Sequence, residues 1–261
     1  MTARHAALAA ALLWALPAGA GVDPFEIQVY GPDLNEPGQF SLELHLNYAW
    51  GGSTAPAYPG QAPLSQAGHY SLEAAVGVLE WLDLGAYLLT FSAPDFGYQY
   101  GGWKVRAKMV VPRRLTGAFF FGLNVEVGRV PLSVDSAAWG TEFRPILGWS
   151  DDWLYVAVNP ILGFALDGPD AFRVEFGPCA KLEVNTQLWF GVGLEYYSSM
   201  GFLDALPPAS QFQQILFAVL DLMPPKGGEE SPWELNFGVG RALTAATPQQ
   251  WEVKAIVGRS F

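Results

Sequence analysis

Residues 40–50 read FSLELHLNYAW. Phe40, Leu42, Leu44, Leu46, Tyr48 and Trp50 fall on one side of this stretch, and Ser41, Glu43, His45 and Asn47 on the other. That is the period-two alternation of a β-strand with one apolar and one polar face. The run is about twice the usual strand length. It matches the span of about nine to eleven residues that a tilted strand needs to cross a bilayer.

Working outward, the pattern recurs. At 103–111, Trp103, Val105, Ala107, Met109 and Val111 alternate with Lys104, Arg106 and Lys108. Blocks ended by Gly, Pro, Asn or Asp predict strands near 39–50, 69–78, 82–93, 100–112, 117–130, 141–150, 154–166, 171–184, 186–199, 212–224, 231–244 and 250–261. That makes about twelve, with ten or fourteen still compatible, because 82–93 and 212–224 do not fix their facing. Links after the second, fourth, sixth and eighth strands are short. On the opposite side GGSTAPAYPGQAPLSQAG at 51–68 is long, and 131–140 and 200–211 are moderately long. The stretch at 224–230 breaks the short-side rule. Short links at one end and long ones at the other, with both termini at the short end, is the layout of outer-membrane barrels.

Composition narrows the function classes. Of the 261 residues 51% are hydrophobic but only 15% charged, against about 25% in an ordinary soluble domain. A net charge of -11 excludes a basic face for nucleic acid. The single cysteine, Cys179, rules out an internal disulfide framework and reads as a small wall residue. MTARHAALAAALLWALPAGA at 1–20 has an early Arg, an apolar run from Ala6 to Leu16 and an A-x-A site, the layout of a signal peptide; the run is too short for a membrane-spanning helix. Export through the periplasm follows. Residues 21–38 then form an N-terminal segment, either a periplasmic extension lying on the rim or a partial plug, with Phe25, Ile27 and Val29 alternating; 39–261 is the barrel.

Alternation alone also suits a soluble sandwich. Strand length, aromatic placement and charge placement favour the membrane. Trp50, Trp81, Trp103, Trp149, Trp153, Trp233 and Trp251 lie at strand ends or in turns, where rings meet the two membrane–water interfaces. Nearly all strand charges fall in the polar series, which predicts a lumen lined by Glu43, His45, Asn47, Glu73, Lys104, Arg106, Lys108, Asn124, Glu126, Glu142, Arg144, Arg173, Glu175, Glu195 and Glu234. Arg241 and Arg259 are in the apolar series near strand ends, where a lipid-facing Arg costs only about 0–1 kcal/mol. Lipid tolerates no open sheet edge, so the first strand must pair with the last. The fold class is all-β, a closed antiparallel transmembrane barrel in the outer membrane of a Gram-negative-type cell envelope.

WEVKAIVGRSF at 251–261 places Trp251, Val253, Ala255 and Val257 in register before a final Phe261. It resembles the terminal strand of bacterial outer-membrane β-barrels, which implies a signal read by the barrel-assembly machinery; Arg259 departs from the usual apolar residue. FEIQVYGPDLNEPGQFSLELHLNY at 25–48 and GLEYY at 193–197 resemble outer-membrane transporters related to the phenol meta-cleavage pathway family. That resemblance implies passage of a small hydrophobic or aromatic compound.

Three functions follow from these residues: a passive channel for small molecules, a non-conducting structural or surface-interaction barrel acting through the 51–68 loop, and a barrel hydrolase. For the first, the mixed signs of the wall act on a solute; for the second, Lys104, Arg106 and Lys108 pair with Glu126, Glu142 with Arg144 and Arg173 with Glu175, to stiffen it. Catalysis needs a nucleophile and a base near the rim. The mature chain offers only His45, between Glu43 and Asn47 and able to pair with Glu73 on the adjacent strand, and His69. A lone lumen histidine beside a carboxylate is ordinarily structural, so no enzyme is expected. Neither is a cofactor or a metal, since there is no phosphate loop and no His/Cys cluster with ligand spacing. The expected partners are lipid, the assembly machinery and a small solute; nothing specifies an oligomer.

Overall fold

Period-two alternation becomes a ladder of antiparallel spans. A computed structural model describes residues 22–186, 188–222 and 232–261; the expected signal peptide and the 224–230 stretch lie outside the described residues. The strands are β1 (Phe40–Trp50), β2 (Ala67–Leu79), β3 (Leu82–Ala93), β4 (Gly97–Val110), β5 (Phe119–Arg129), β6 (Trp139–Ser150), β7 (Leu154–Asn159), β8 (Leu162–Ala165), β9 (Val174–Phe176), β10 (Cys179–Asn185), β11 (Phe190–Ser199), β12 (Gln213–Leu222), β13 (Trp233–Ala242) and β14 (Trp251–Ser260). Sequence neighbours pair, β5 pairs with β6, and β1 pairs with β14 from Ser41↔Ser260 to Trp50↔Trp251. The sheet is therefore closed.

These segments make twelve spans, because β7 with β8 and β9 with β10 are each one strand in two pieces. The sequence predicted continuous strands at 154–166 and 171–184. They break at Pro160 and at Gly177-Pro178 because proline has no N–H to give the ladder. The breaks lie side by side, and the Gly177 N–H donates to Ile161 O at 3.0 Å, which keeps the wall joined. The link expected at 113–116 is a single helical turn, Arg113–Thr116. In β4 the register shifts between Leu89↔Gly102 and Thr90↔Tyr100. Gly102, at φ +125°, takes a backbone conformation that side chains disfavour. This bulge changes parity, so that Tyr98 and Tyr100 face outward on one side of it and Trp103 and Val105 on the other.

The outer wall is apolar and exposed. Leu42, Leu44, Leu46, Leu72, Leu84, Leu88, Val105, Leu182, Leu194, Phe237 and Val239 all remain open on it, a band far larger than a soluble monomer leaves uncovered. Aromatic pairs rim both ends. Trp50 stacks with Trp251 at 6.4 Å and Trp103 meets Trp139 edge-on at 5.7 Å at the long-loop end; Phe119 meets Trp149 at 4.6 Å and Phe40 meets Phe261 at 6.2 Å at the other. Trp251, Val253, Ala255 and Val257 lie on the outer face of β14. The backbone N–H of Phe261 donates to Phe40 O at 2.8 Å, closing the seam. Arg241 stacks on Trp251, and Arg259 on Trp233 and Phe261. A third outward arginine, Arg129, sits at the end of β5 over Trp139. Each outward guanidinium thus sits at interface depth on an aromatic face.

Inside, the residues are not only charged. Buried Val110, Phe120, Ile146, Tyr197, Ile215, Phe217 and Val219 form one apolar cluster, and Tyr87, Leu89, Phe91 and Ala93 belong to another. β3 and β12 carry apolar residues on both faces for this reason, which is why their facing was not readable from periodicity.

Candidate functional site

The lumen is occupied by the chain itself. Residues 22–34 run through it from the long-loop end toward the start of β1, with Phe25, Ile27, Val29 and Tyr30 buried in the two apolar clusters. The strands hold this segment's backbone at several heights. Asn47 Nδ2 donates to Pro24 O at 2.9 Å, Lys254 Nζ to Ile27 O at 3.0 Å, Arg144 Nη1 to Gln28 O at 3.3 Å and Lys108 Nζ to Asp33 O at 2.8 Å. Asn159 pairs with Tyr30 in both directions, accepting from its N–H at 2.7 Å and donating to its carbonyl at 3.1 Å. An inward side chain thus copies a ladder contact.

The predicted lining residues divide by their partners. Lys104 faces Asp23, Glu26 at 3.4 Å and Glu126 at 3.5 Å. Asn124 donates to Glu126 at 2.7 Å. Arg106 bridges Glu73 and Asp83, with Tyr87 accepting from its Nε at 3.0 Å. Arg144 joins Glu142 at 2.7 Å and Glu26 at 3.6 Å. Glu195 accepts from Lys254 and from Tyr197, and lies 3.5 Å from Lys181, which also pairs with Glu183 and Asp221. Glu43, His45 and Glu73 converge in the middle of the wall, with His45 Nε2 3.7 and 3.9 Å from the two carboxylates. Glu234 is exposed on β13, next to Gly258, which it shares with Glu43 as a cross-strand neighbour. Glu175 lies in the short β9, bridged to Phe202.

Arg173 is placed differently from its neighbours in that set. It precedes β9 in a loop, where its guanidinium pairs with Asp170 at 2.6 Å and Asp204 at 2.8 Å and lies 3.8 Å over the Phe202 ring. Its hydrogen bond holds the Asp204 carboxyl below the usual carboxylate range. Sequence reasoning missed Asp23 and Glu26, two of the acids that neutralise the lumen cations. Their signal was present: Phe25, Ile27 and Val29 alternate with polar residues as a strand inside a wall would.

Above the segment a cavity of about 340 Å³ opens toward the long loops. Phe25, Phe91, Trp139, Phe164, Phe176 and Phe202 give it an aromatic lining, and Lys104, Arg144, Glu126 and Glu142 a charged floor. The 51–66 loop forms part of the mouth. Ala62 and Ser65 are buried, and the Ala62 N–H donates to Ser133 O at 2.8 Å. Burial pushes the Asp135 carboxyl above its usual value although the Ala137 N–H donates to it, and burial likewise raises the Tyr58 phenol. His45 lies opposite Ser71 in register, yet no hydrogen bond joins the two side chains, and neither makes a hydrogen bond elsewhere. A nucleophile–base pair is not assembled there.

No family model matches the chain, and no curated protein matches it. Solved structures do. An outer membrane channel of the COG4313 group from Pseudomonas putida F1 superposes with a TM-score of 0.63 at 11% identity, covering 90% of this chain and 100% of that one. The KdgM porin aligns with a TM-score of 0.54 at 13% identity over 85% of this chain and 99% of its own. A second structure of that porin, in complex with disordered oligogalacturonate, gives 0.52 at 12% identity. At such identities the likeness is one of fold: this is a closed twelve-strand barrel of the outer-membrane type.

Proposed function

We propose that the protein is an outer-membrane channel for small, neutral, hydrophobic or aromatic molecules, with residues 22–34 as an internal plug that narrows the path. The aromatic cavity carries the reading. Its volume is about twice the roughly 150 Å³ that holds benzene in a protein interior, enough for a compound of one or two rings. Of its lining residues eight are carboxylates (Asp23, Glu26, Glu126, Asp135, Glu142, Asp167, Asp170 and Glu175) and two are cations. A mouth with that balance repels anions. An acidic sugar polymer such as the oligogalacturonate in the KdgM structure would meet the wrong sign here, whereas a neutral aromatic meets rings of its own kind.

The barrel-type fold, the signal-like N-terminus and the apolar outer band support placement in the outer membrane. The second reading, a non-conducting barrel, is favoured by the interior pairing, since Lys104, Arg106, Arg144, Lys181 and Lys254 all have acidic partners. Bilayer conductance and liposome swelling separate the two. The folded protein should admit a neutral phenolic solute faster than an aromatic carboxylate of similar size, and deletion of residues 22–34 should raise conductance several-fold. No swelling and no conductance from either form, with both still showing the altered gel mobility of an unboiled barrel, would leave the structural reading standing.

A further inference from the structure

We propose that Glu43, His45 and Glu73 form a binding site for a divalent transition-metal ion inside the barrel wall. Glu43 and His45 are two apart on β1 and so point the same way; Glu73 lies directly opposite Glu43 on β2. This juxtaposition brings one imidazole nitrogen and two carboxylate oxygens within 4.8 Å of one another. Three ligands about 2.0–2.2 Å from a tetrahedral ion stand about 3.4 Å apart. The His45 Nε2 distances of 3.7 and 3.9 Å need a few tenths of an ångström of closure, and the two carboxylates, within 4.8 Å of each other, draw together by rotation of Glu43, whose Oε2 has no hydrogen-bond partner.

The second observation is that the cluster is unsatisfied. His45 is completely buried, yet neither ring nitrogen has a hydrogen-bond partner, and Glu43 Oε2 has none either. A buried polar group in that state is costly unless something occupies the space between. The charges around the cluster leave room for a cation. Arg106 holds Glu73 through Oε1, so that Oε2 turns to His45. Lys108 is engaged with Asp33 O, and Glu234 lies beyond Gly258. Three carboxylates against two cations give a local deficit of positive charge. The donor set of one nitrogen and two oxygens suits Zn²⁺, Ni²⁺ or Co²⁺ more than Ca²⁺, which takes oxygen ligands alone. Three protein ligands leave a fourth position for water. Glu43, with 16% of its side chain exposed, is the way in from the lumen.

Sequence spacing did not announce the site, because its ligands come from two strands and only the register joins them. The proposal is independent of whether the barrel conducts. Its test is Co²⁺ titration of the folded, metal-free protein in detergent, read by the visible d–d absorption of a tetrahedral ion and by bound metal after desalting. One equivalent per barrel is expected, displaced by Zn²⁺, with affinity reduced at least tenfold in Glu43→Gln and in His45→Ala. Glu43→Gln preserves shape, so it decides the matter should His45→Ala fail to show the unboiled-barrel gel shift. Absence of bound Co²⁺ in the wild-type barrel, or equal binding by folded Glu43→Gln, would overturn the site.

Discussion

The outer and inner walls are made by the same strands, one residue apart, and they obey different rules. Outward residues meet a uniform solvent. Any apolar side chain suits lipid, so Leu42, Leu44 and Leu46 on β1 and Val253, Ala255 and Val257 on β14 are interchangeable in kind. Inward residues meet particular partners. Lys104 needs an acid and Asn159 needs the Tyr30 backbone, while Gly240 lacks a side chain because a Cβ there would come within 2.6 Å of the Phe217 ring. One wall is specified by the medium and the other by the segment it encloses.

That difference should show most when an inner partner is removed. Arg144 is 2% exposed and joins Glu142, Glu26 and the Gln28 carbonyl. Arg144→Met strips Glu142 of its guanidinium partner and leaves Glu26 with Lys104 alone, a loss of about 3–5 kcal/mol for a broken buried pair. Urea unfolding from detergent or lipid should show it, together with easier proteolysis of residues 22–34. An unchanged midpoint would mean that the segment does not depend on its ion pairs.

On the outer wall the cost should follow depth alone. Leu44→Arg, in the middle of β1, is expected to lose about 2–4 kcal/mol, whereas Arg241→Leu should change stability by no more than about 1 kcal/mol. Arg241 lies over Trp251 at 4.7 Å, at the interface where an arginine is cheap. Similar losses at both positions would remove the distinction between a lipid-facing middle and a wet rim.

How much was legible follows the same division. Alternation, loop asymmetry and ring closure were readable at 40–50 and 251–260 because lipid imposes one requirement on every outward residue. β3 and β12 resisted, since Leu89, Phe91, Ile215 and Phe217 make the inner face as apolar as the outer. Their partners, Phe25, Ile27 and Val29, come from another part of the chain, and no local period encodes that contact. The Glu43–His45–Glu73 cluster needed the β1–β2 register, and the Arg106 partner Asp83 needed the β3–β4 register. Pro160 and Pro178 are the opposite case: the breaks they cause were visible as residue types but were read through as continuous strand.

The smallest expected effect lies where the two walls meet water, at the turn before β7. Trp149 faces outward near the end of β6, and its indole N–H donates to Asp151 Oδ2 at 2.9 Å, while Oδ1 accepts from the backbone N–H of Trp153 at 2.8 Å and of Leu154 at 2.9 Å. These hydrogen bonds, the indole's first, hold the exposed Asp151 carboxyl below its usual range. A lowered pKa means that the charged form is preferred in the folded state. The stabilisation is therefore complete above the unfolded value of about 3.9 and is lost as the pH falls through the lower, folded value. Because the carboxyl is open to solvent, the barrel as a whole should stay folded through that range. The Trp149 indole resonance should shift with a midpoint below about 3.9 in an NMR titration, and Asp151→Ala should abolish the shift while leaving the Trp50 and Trp251 resonances in place. A midpoint at or above the ordinary carboxylate value would show that the interfacial ring is held by lipid alone and that the turn contributes nothing to its position.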